Sequence, residues 1–216
     1  MDFWNNSEFK ENILQQAKNK KMLLTKDYPF EIILNSFWFD VFNELLLEST
    51  KRKKETWKLV KTNLEINNLL ISKNITIGDK KRVRGELLLF KWDNNTQKVI
   101  GTIHTHLKNS PFSFYDFSNL FFSYRHLMSF LVDNKKNVLL TIRTKETKKY
   151  RGNQKSFVNH YDQKYDSLWT SYKGALIANL LFCQEHHLVF YAGKLPISHF
   201  SKKEIHLFKK RLIKKN

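Results

Sequence analysis

The scarcity of glycine and proline is the feature that most limits how this chain can fold. Only 6 Gly and 3 Pro occur in 216 residues, so no stretch has the composition of a flexible linker, and no internal repeat is visible. Hydrophobic residues make up 41% of the chain, which is enough to form a buried core at this length. The sequence therefore predicts one compact domain.

Simple counts exclude several classes of protein. No run approaches the roughly 18 apolar residues that a membrane-spanning helix needs, and the opening Met-Asp-Phe-Trp lacks the basic-then-apolar layout of a secretory signal. We therefore expect a soluble, cytoplasmic protein with no membrane partner. The single cysteine, Cys183, cannot form an internal disulfide or a zinc site built from several thiolates.

The chain is strongly basic, with 38 Lys+Arg against 20 Asp+Glu and a formal net charge of +18. Clustered cations can bind nucleic acid, but most of these residues are Lys, whereas two-pronged phosphate recognition favours Arg. The charge is thus compatible with a nucleic-acid partner, with an acidic protein partner, or with a solvated surface that reflects compositional bias. The basic runs are Lys51–Lys54, Lys80–Arg84 and Lys202–Lys215.

Hydrophobic periodicity and turn residues predict alternating helices and strands in the first half of the chain. Asp93-Asn94-Asn95-Thr96 is the strongest turn signal, because Asn and Asp tolerate the left-handed conformation. The predicted elements are a helix over residues 6–20, a helix from Tyr28 to about Asn43, a short strand over Leu45–Leu47, a turn over Lys51–Glu55, a strand or hairpin over Thr56–Ile71, and a hairpin that pairs Val83–Trp92 with Gln97–His106.

The second half continues the alternation and ends in a basic segment. The predicted elements are a helix over Phe114–His126, strands over Leu127–Val132 and Asn137–Thr144, an exposed loop over Lys145–Tyr165, a helix over Ser167–Phe182, a strand over Leu188–Ala192, and a basic C-terminal helix that docks through Ile205, Leu207, Phe208 and Leu212. We expect residues 1–27 to form a helical extension, 28–145 the core, and 146–216 a loop plus helix-strand-helix that completes the same α/β domain.

The segment from Gly101 to Asp116 carries the clearest chemical signal. Side chains alternate along a strand, so His104 and His106 point to one face and can reach one metal ion. Asp116 can add an oxygen ligand from the next helix, which Ser113 is placed to cap. Two imidazoles and one carboxylate leave the fourth position of a tetrahedral zinc ion open, as in catalytic zinc sites. The sequence predicts Zn²⁺ as the cofactor.

These residues resemble the JAB/MPN family of zinc metalloproteases, the JAMM group. The family motif is an upstream Glu, then His-x-His, a loop, and Ser-x-x-Asp, and His104, His106, Ser113 and Asp116 match it. The loop is one residue shorter than usual, and Leu107 replaces the common Pro. The resemblance covers about residues 30–145. It implies an MPN/JAB-like fold with a cytidine deaminase-like layout, in which a central mixed β-sheet is flanked by helices.

The resemblance also implies an activity. Such enzymes hydrolyse an amide or isopeptide bond of a protein or peptide, for example a ubiquitin-like modifier, and Ser113 would help to stabilise the oxyanion. The upstream Glu would be the general base. Glu44 is the first choice, because it closes the first long helix and opens an apolar run. Glu86 is the rival if the Asn94-Asn95 turn is tight, and Glu48 or the absence of any base remains open.

A function of a different class is also compatible with these residues. MPN-like domains serve both as enzymes and as binding modules, because function resides in the site and not in the fold. A catalytically silent module could use the basic surface to bind nucleic acid or an acidic protein.

Overall fold

The computed structural model describes residues 7–19, 22–63, 65–66, 68–78, 97–122, 126–148, 150–196 and 203–211. The first arm of the predicted hairpin, Val83–Trp92, lies outside these residues together with its Glu86. The basic run Lys80–Arg84 lies outside them as well.

The described residues form helices and strands that alternate along the chain. The helices are α1 (Ser7–Asn19), α2 (Ser36–Arg52), α3 (Phe114–Phe122), α4 (Gln154–Tyr165) and α5 (Tyr172–Glu185), with short 3-10 turns at Thr25–Asp27 and Asp166–Leu168. The strands are β1 (Glu31–Leu34), β2 (Thr56–Asn63), β3 (Asn68–Ile71), β4 (Thr76–Ile77), β5 (Gln97–His106), β6 (Met128–Asp133), β7 (Asn137–Ile142), β8 (Val189–Lys194) and β9 (Ile205–Lys209).

Within the described residues the strands form one mixed sheet, in the order β1-β9-β8-β7-β6-β5-β2-β3, with β4 paired to β2. Strands β5 and β6 are parallel, and α3 supplies the crossover that a parallel pair needs. The other paired strands are antiparallel. The C-terminal ends of β5, β6 and β8 therefore lie together with the starts of β2 and β7, at what we call the upper end of the sheet.

Helices cover both faces of the sheet, each with its own hydrophobic core. On one face, Trp38 and Phe42 of α2 pack on Phe130 of β6, with ring centroids 4.8 and 5.9 Å apart. On the other face, α3, α4 and α5 share an aromatic core in which Phe114 and Phe117 contact Phe182. The prediction of a mixed α/β fold with a central sheet flanked by helices is confirmed at this level. No helix among the described residues has both the length and the apolar character needed to cross a membrane.

The predicted helix over Tyr28–Asn43 is wrong before Ser36 and correct from there on, and the predicted strand over Leu45–Leu47 is wrong. The chain first forms β1 and then the long helix α2, which begins after Asn35 and continues through Leu47 to Arg52. The Asn35 side chain accepts a hydrogen bond from the Phe37 amide at 3.2 Å, which caps the helix. The buried residues of α2 follow helical spacing; they include Trp38, Val41, Phe42, Leu45 and Ser49.

The exposed loop predicted over Lys145–Tyr165 is also wrong in its second half. Helix α4 occupies Gln154–Tyr165, and it buries Phe157, Tyr161 and Tyr165. These aromatic residues recur every four positions and form one apolar stripe. Because the residues between them are polar or charged, composition alone predicts an exposed loop here.

The predicted basic C-terminal helix is replaced by a strand. Ile205–Lys209 forms β9, which lies between β1 and β8 and alternates buried and exposed residues. Ile205 and Leu207 are fully buried, whereas Phe208 is 37% exposed. This is the period of two that defines a half-buried strand. Leu212, which was expected to dock with them, lies outside the described residues.

Candidate metal centre

The three residues predicted as metal ligands come together at the upper end of the sheet. His104 and His106 lie at the end of β5, and Asp116 lies in the first turn of α3. One donor atom from each lies within 4.8 Å of the others. His104 Nε2 is 3.4 Å from Asp116 Oδ1, and His106 Nε2 is 3.4 Å from Asp116 Oδ2.

These donors are of the type that zinc prefers, and they lie close enough together to approach one ion. Ligand atoms about 2.0–2.1 Å from a tetrahedral zinc ion lie about 3.3–3.4 Å apart; each imidazole Nε2 lies at that distance from a different oxygen of Asp116, and one donor atom from each residue lies within 4.8 Å of the others. Among the described residues, buried His104 Nε2 has no hydrogen-bond partner, because its approach to Asp116 does not form a hydrogen bond. A buried nitrogen without a partner costs free energy, and a metal ion would satisfy it.

Ser110 orients the second imidazole. His106 Nδ1 lies 3.1 Å from the Ser110 carbonyl oxygen and 3.0 Å from its Oγ. When Nδ1 donates its proton to that carbonyl, the Nε2 lone pair is left to face Asp116 and His104. Metal-binding histidines are commonly fixed in this way by a hydrogen bond from the other ring nitrogen.

Ser113 orients the carboxylate. The Ser113 amide and hydroxyl each donate to Asp116 Oδ2 at 2.7 Å, and the Asp116 amide donates to Ser113 Oγ at 3.3 Å. This reciprocal arrangement is a capping box at the start of α3. The predicted cap is therefore present. The oxyanion role expected for Ser113 stays a prediction, while its hydrogen bonds here hold Asp116.

The loop between the histidines and α3 is anchored at both ends. The Asn134 side chain donates to the Leu107 carbonyl oxygen at 2.8 Å, and the Asn179 side chain donates to the Phe112 carbonyl oxygen at 2.8 Å. The buried Phe112 ring lies 5.8 Å from the His104 ring. These hydrogen bonds hold the short loop so that Asp116 lies close to the histidines, although the residue after His106 is Leu107 and not a proline.

The electrostatics of the cluster favour a positive charge. Burial raises the pKa of Asp116, but the two imidazoles outweigh that effect and hold its pKa well below its usual value. Burial lowers the pKa of His106, but Asp116, the charge of Glu55 and the Ser110 carbonyl together raise that pKa to about 9. A carboxylate that stays ionised beside two imidazoles is what a divalent cation needs as a ligand.

Glu55 is the residue that the sequence analysis missed. Strand β2 pairs with β5 so that Trp57 lies opposite His104. Extending this register by two residues brings Glu55 opposite His106, on the face that carries both imidazoles. Glu55 is half-buried, and its charge acts on His106. It follows the long helix α2 and directly precedes β2.

A buried hydrogen-bond network fixes the backbone on either side of Glu55. Thr105 Oγ1 accepts from the Thr56 amide at 2.9 Å and donates to Ser49 Oγ at 3.0 Å. The Ser49 hydroxyl donates to the Lys54 carbonyl oxygen at 2.7 Å. These hydrogen bonds connect the end of α2 with the start of β2 and the end of β5, next to the histidines.

Glu44 does not lie at the cluster, so the choice of Glu44 as general base does not fit this geometry. It lies within α2, half-exposed, and its Oε2 is 2.6 Å from Lys58 Nζ. Lys58 pairs with Ile103 and not with His104, which places the ion pair on the opposite face of the sheet. Glu48 is paired with Arg52 at 2.8 Å on the same helix.

Taken together, the chain is a mixed α/β protein whose sheet carries a His-His-Asp cluster able to hold a divalent metal ion. Comparison of the sequence with models of known protein families gives no match, and comparison with curated proteins gives none.

Proposed function

We propose that this protein is a zinc-dependent peptidase of the JAMM type, with an MPN fold, that hydrolyses an amide or isopeptide bond. The observation that carries the proposal is the convergence of three donor atoms from His104, His106 and Asp116 within 4.8 Å, with the charge of Glu55, the residue before β2, acting on His106. Three protein ligands with an open fourth position are typical of catalytic zinc.

The order of elements supports the MPN assignment. The resemblance requires a long helix, a Glu at the start of a strand, a His-x-His strand, a Ser-x-x-Asp helix and a further strand pair. The chain has α2, Glu55 before β2, β5, α3, and the pair β6 and β7 in that order. The agreement is in the order of the elements and in the types of residue that they carry. The assignment to the MPN fold is therefore part of the proposal.

Each residue of the site has a defined task. A zinc ion held here would polarise a carbonyl and lower the pKa of water from about 15.7 toward roughly 7. Glu55 would accept a proton from the attacking water and return it to the leaving amine. Ser113 and Ser110 keep Asp116 and His106 in position. Phe112, which lies against His104, shields the buried side of the cluster from water.

The test compares Glu55→Gln with Glu44→Gln, since both changes remove one negative charge from the same part of the chain. Hydrolysis of an internally quenched peptide library is measured together with bound zinc. We expect Glu55→Gln to keep its zinc and lose about 100-fold or more in rate. Glu44→Gln should keep both its bound zinc and its rate of hydrolysis.

Equal rates in the two variants would contradict the assignment of Glu55. A wild-type protein that binds zinc but hydrolyses none of the library would favour the catalytically silent binding module.

A further inference from the structure

The end of the sheet that carries the His-His-Asp cluster also carries exposed lysines from separate parts of the chain. They come from the α2–β2 turn, the ligand loop, the β6–β7 turn and the end of β8, and all of them are exposed. We call them the lysine rim; its members are Lys53, Lys108, Lys135, Lys136 and Lys194.

Sheet topology brings these segments together at the upper end of the sheet. Lys53 precedes Glu55 by two residues, and Lys108 follows His106 by two. Asp133 of β6 pairs with His106, and Lys135 and Lys136 form the turn that follows it. Lys194 pairs with Asn137 at the start of β7.

The carboxylate nearest in sequence to the β6–β7 turn is not paired with the lysines of that turn. Asp133, the acidic residue next to the β6–β7 turn, is fully buried. Its carboxylate accepts hydrogen bonds from the Lys135 amide at 2.9 Å, the Asn137 amide at 3.0 Å and the Asn137 side chain at 2.8 Å. In the part of the chain that the structure describes, no rim ammonium group forms an ion pair.

A positive rim around a recessed site has a predictable effect on ligands. Charges of one sign around a cleft focus the field into it and raise the local concentration of oppositely charged partners. The field reaches about 8 Å at physiological ionic strength, which covers the residues on either side of a bound peptide bond. The rim therefore favours substrates with acidic residues near the scissile bond.

Two features favour a polypeptide over a nucleic acid as the anionic partner. Recognition of phosphates and bases by planar, two-pronged contacts favours arginine, and Arg52, the arginine beside Lys53, is paired with Glu48 at 2.8 Å. In addition, Leu107 and Tyr115, each next to a ligand residue, are each 37% exposed. They offer apolar contact to the side chains that flank a peptide bond.

We propose that the substrate of this site is an acidic polypeptide segment, held by the lysine rim with its scissile amide at the His-His-Asp cluster. This inference rests on the proposed function, because it assigns a substrate class to the same site.

The test is a binding measurement that needs no turnover. Fluorescence anisotropy follows a fluorescein-labelled peptide of alternating Glu and Ala, with a matching Lys-Ala peptide and single-stranded oligothymidine as comparisons. The rim variant is Lys108→Glu/Lys135→Glu/Lys136→Glu. The matched control is Lys145→Glu/Lys148→Glu/Lys155→Glu, which reverses three exposed lysines in the segment that follows the opposite end of β7.

We expect the acidic peptide to bind wild-type protein, to weaken about tenfold or more in the rim variant, and to weaken as salt increases. The control variant should bind nearly as wild type. Equal losses in both variants, or equal binding of the Lys-Ala peptide, would overturn the proposal. Tighter binding of oligothymidine that depends on the rim would overturn it in favour of a nucleic-acid surface.

Glu55→Gln removes a negative charge two residues from Lys53 and should bind the acidic peptide at least as tightly as wild type does. A protein that binds the peptide through the rim but hydrolyses nothing would therefore refute the proposed function alone. A protein that hydrolyses peptides without any preference for acidic sequences, and does not bind the Glu-Ala peptide, would refute the substrate inference alone.

Discussion

Ser113 and Asp116 hold each other in place through hydrogen bonds in both directions. The Ser113 amide and hydroxyl each donate to Asp116 Oδ2 at 2.7 Å, and the Asp116 amide donates back to Ser113 Oγ at 3.3 Å. The same pair thus starts helix α3 and aims its other carboxylate oxygen at His104. Helix capping and ligand orientation are two tasks of one serine.

Replacing Ser113 with Ala should weaken both metal binding and helix capping, and the two losses can be measured separately. Loss of a residue that orients a metal ligand typically costs about 10- to 100-fold in metal affinity, and loss of a helix cap costs about 1 kcal/mol of stability. Competition with a chelator measures the first effect, and urea unfolding of the metal-free protein measures the second.

The matched control for Ser113→Ala is Ser171→Ala. The Ser171 side chain caps α5 by accepting from the Gly174 amide at 3.1 Å, away from the metal ligands. It should lose similar stability and retain its zinc affinity. Equal zinc affinity in Ser113→Ala and wild type would show that Asp116 does not depend on the cap.

Thr105→Val tests the network that positions Glu55. The change leaves the buried Thr56 amide without its 2.9 Å partner and Ser49 without its donor, which should cost about 1–3 kcal/mol. Urea unfolding gives the loss, and Thr102→Val is the control. Thr102 is less buried, and its hydroxyl makes only a 3.4 Å contact with His126. A loss no greater than that of the control would show that the network is not important for stability.

His186 should make the fold sensitive to mild acid. Burial lowers the pKa of His186 to about 4, and its Nε2 lies 2.5 Å from the buried Tyr161 hydroxyl. Between about pH 6.5 and 4 the unfolded chain binds a proton at this residue and the folded chain does not. Its contribution to stability is therefore complete above pH 6.5 and is lost as the pH falls toward 4.

The double variant Tyr161→Phe/His186→Phe removes the titrating group and leaves no buried polar partner behind. Its free energy of unfolding should fall by about 1 kcal/mol less than that of wild type between pH 7 and pH 5. Chemical denaturation at the two pH values measures the difference. The same pH dependence in both proteins would show that His186 does not titrate as described.

The clustering of His104, His106 and Asp116 could be predicted because the position of each residue depends on local rules. Alternation along a strand places His104 and His106 on one face, and a Ser three residues before an Asp is a helix-start signal. Neither rule needs knowledge of distant contacts. The bonds that refine the site, such as Asn179 to the Phe112 carbonyl oxygen, connect residues far apart in sequence and could not be read from it.

The sequence favours Glu44 over Glu55 only if the local apolar run Leu45–Leu47 is a strand, and the structure shows that this run is helical. Leu45–Leu47 has strand length, but the preceding residues continue one helical face from Asn35 onward, so Glu44 is internal to α2. The charged turn that ends this helix is followed at once by Glu55 and the buried strand β2. The boundary between the charged turn and β2 is the feature of the sequence that points to Glu55. It can be recognised only when the end of α2 is known.

The predictions for α4 and β9 fail for a related reason, because both depend on composition. Abundant charge concealed the four-residue aromatic spacing of α4, and a basic amphipathic pattern concealed the two-residue alternation of β9. In each case, burial against the rest of the fold decided the structure: α4 packs its aromatic stripe against Phe182, and β9 fills the place between β1 and β8.

The central claim is that His104, His106 and Asp116 hold one zinc ion, and metal analysis by mass spectrometry of purified protein tests it most directly. We expect about one zinc per chain in wild type and in Glu55→Gln, and none in His104→Ala or Asp116→Ala. A folded wild-type protein that contains no stoichiometric metal after incubation with zinc, or ligand variants that retain it, would contradict the account.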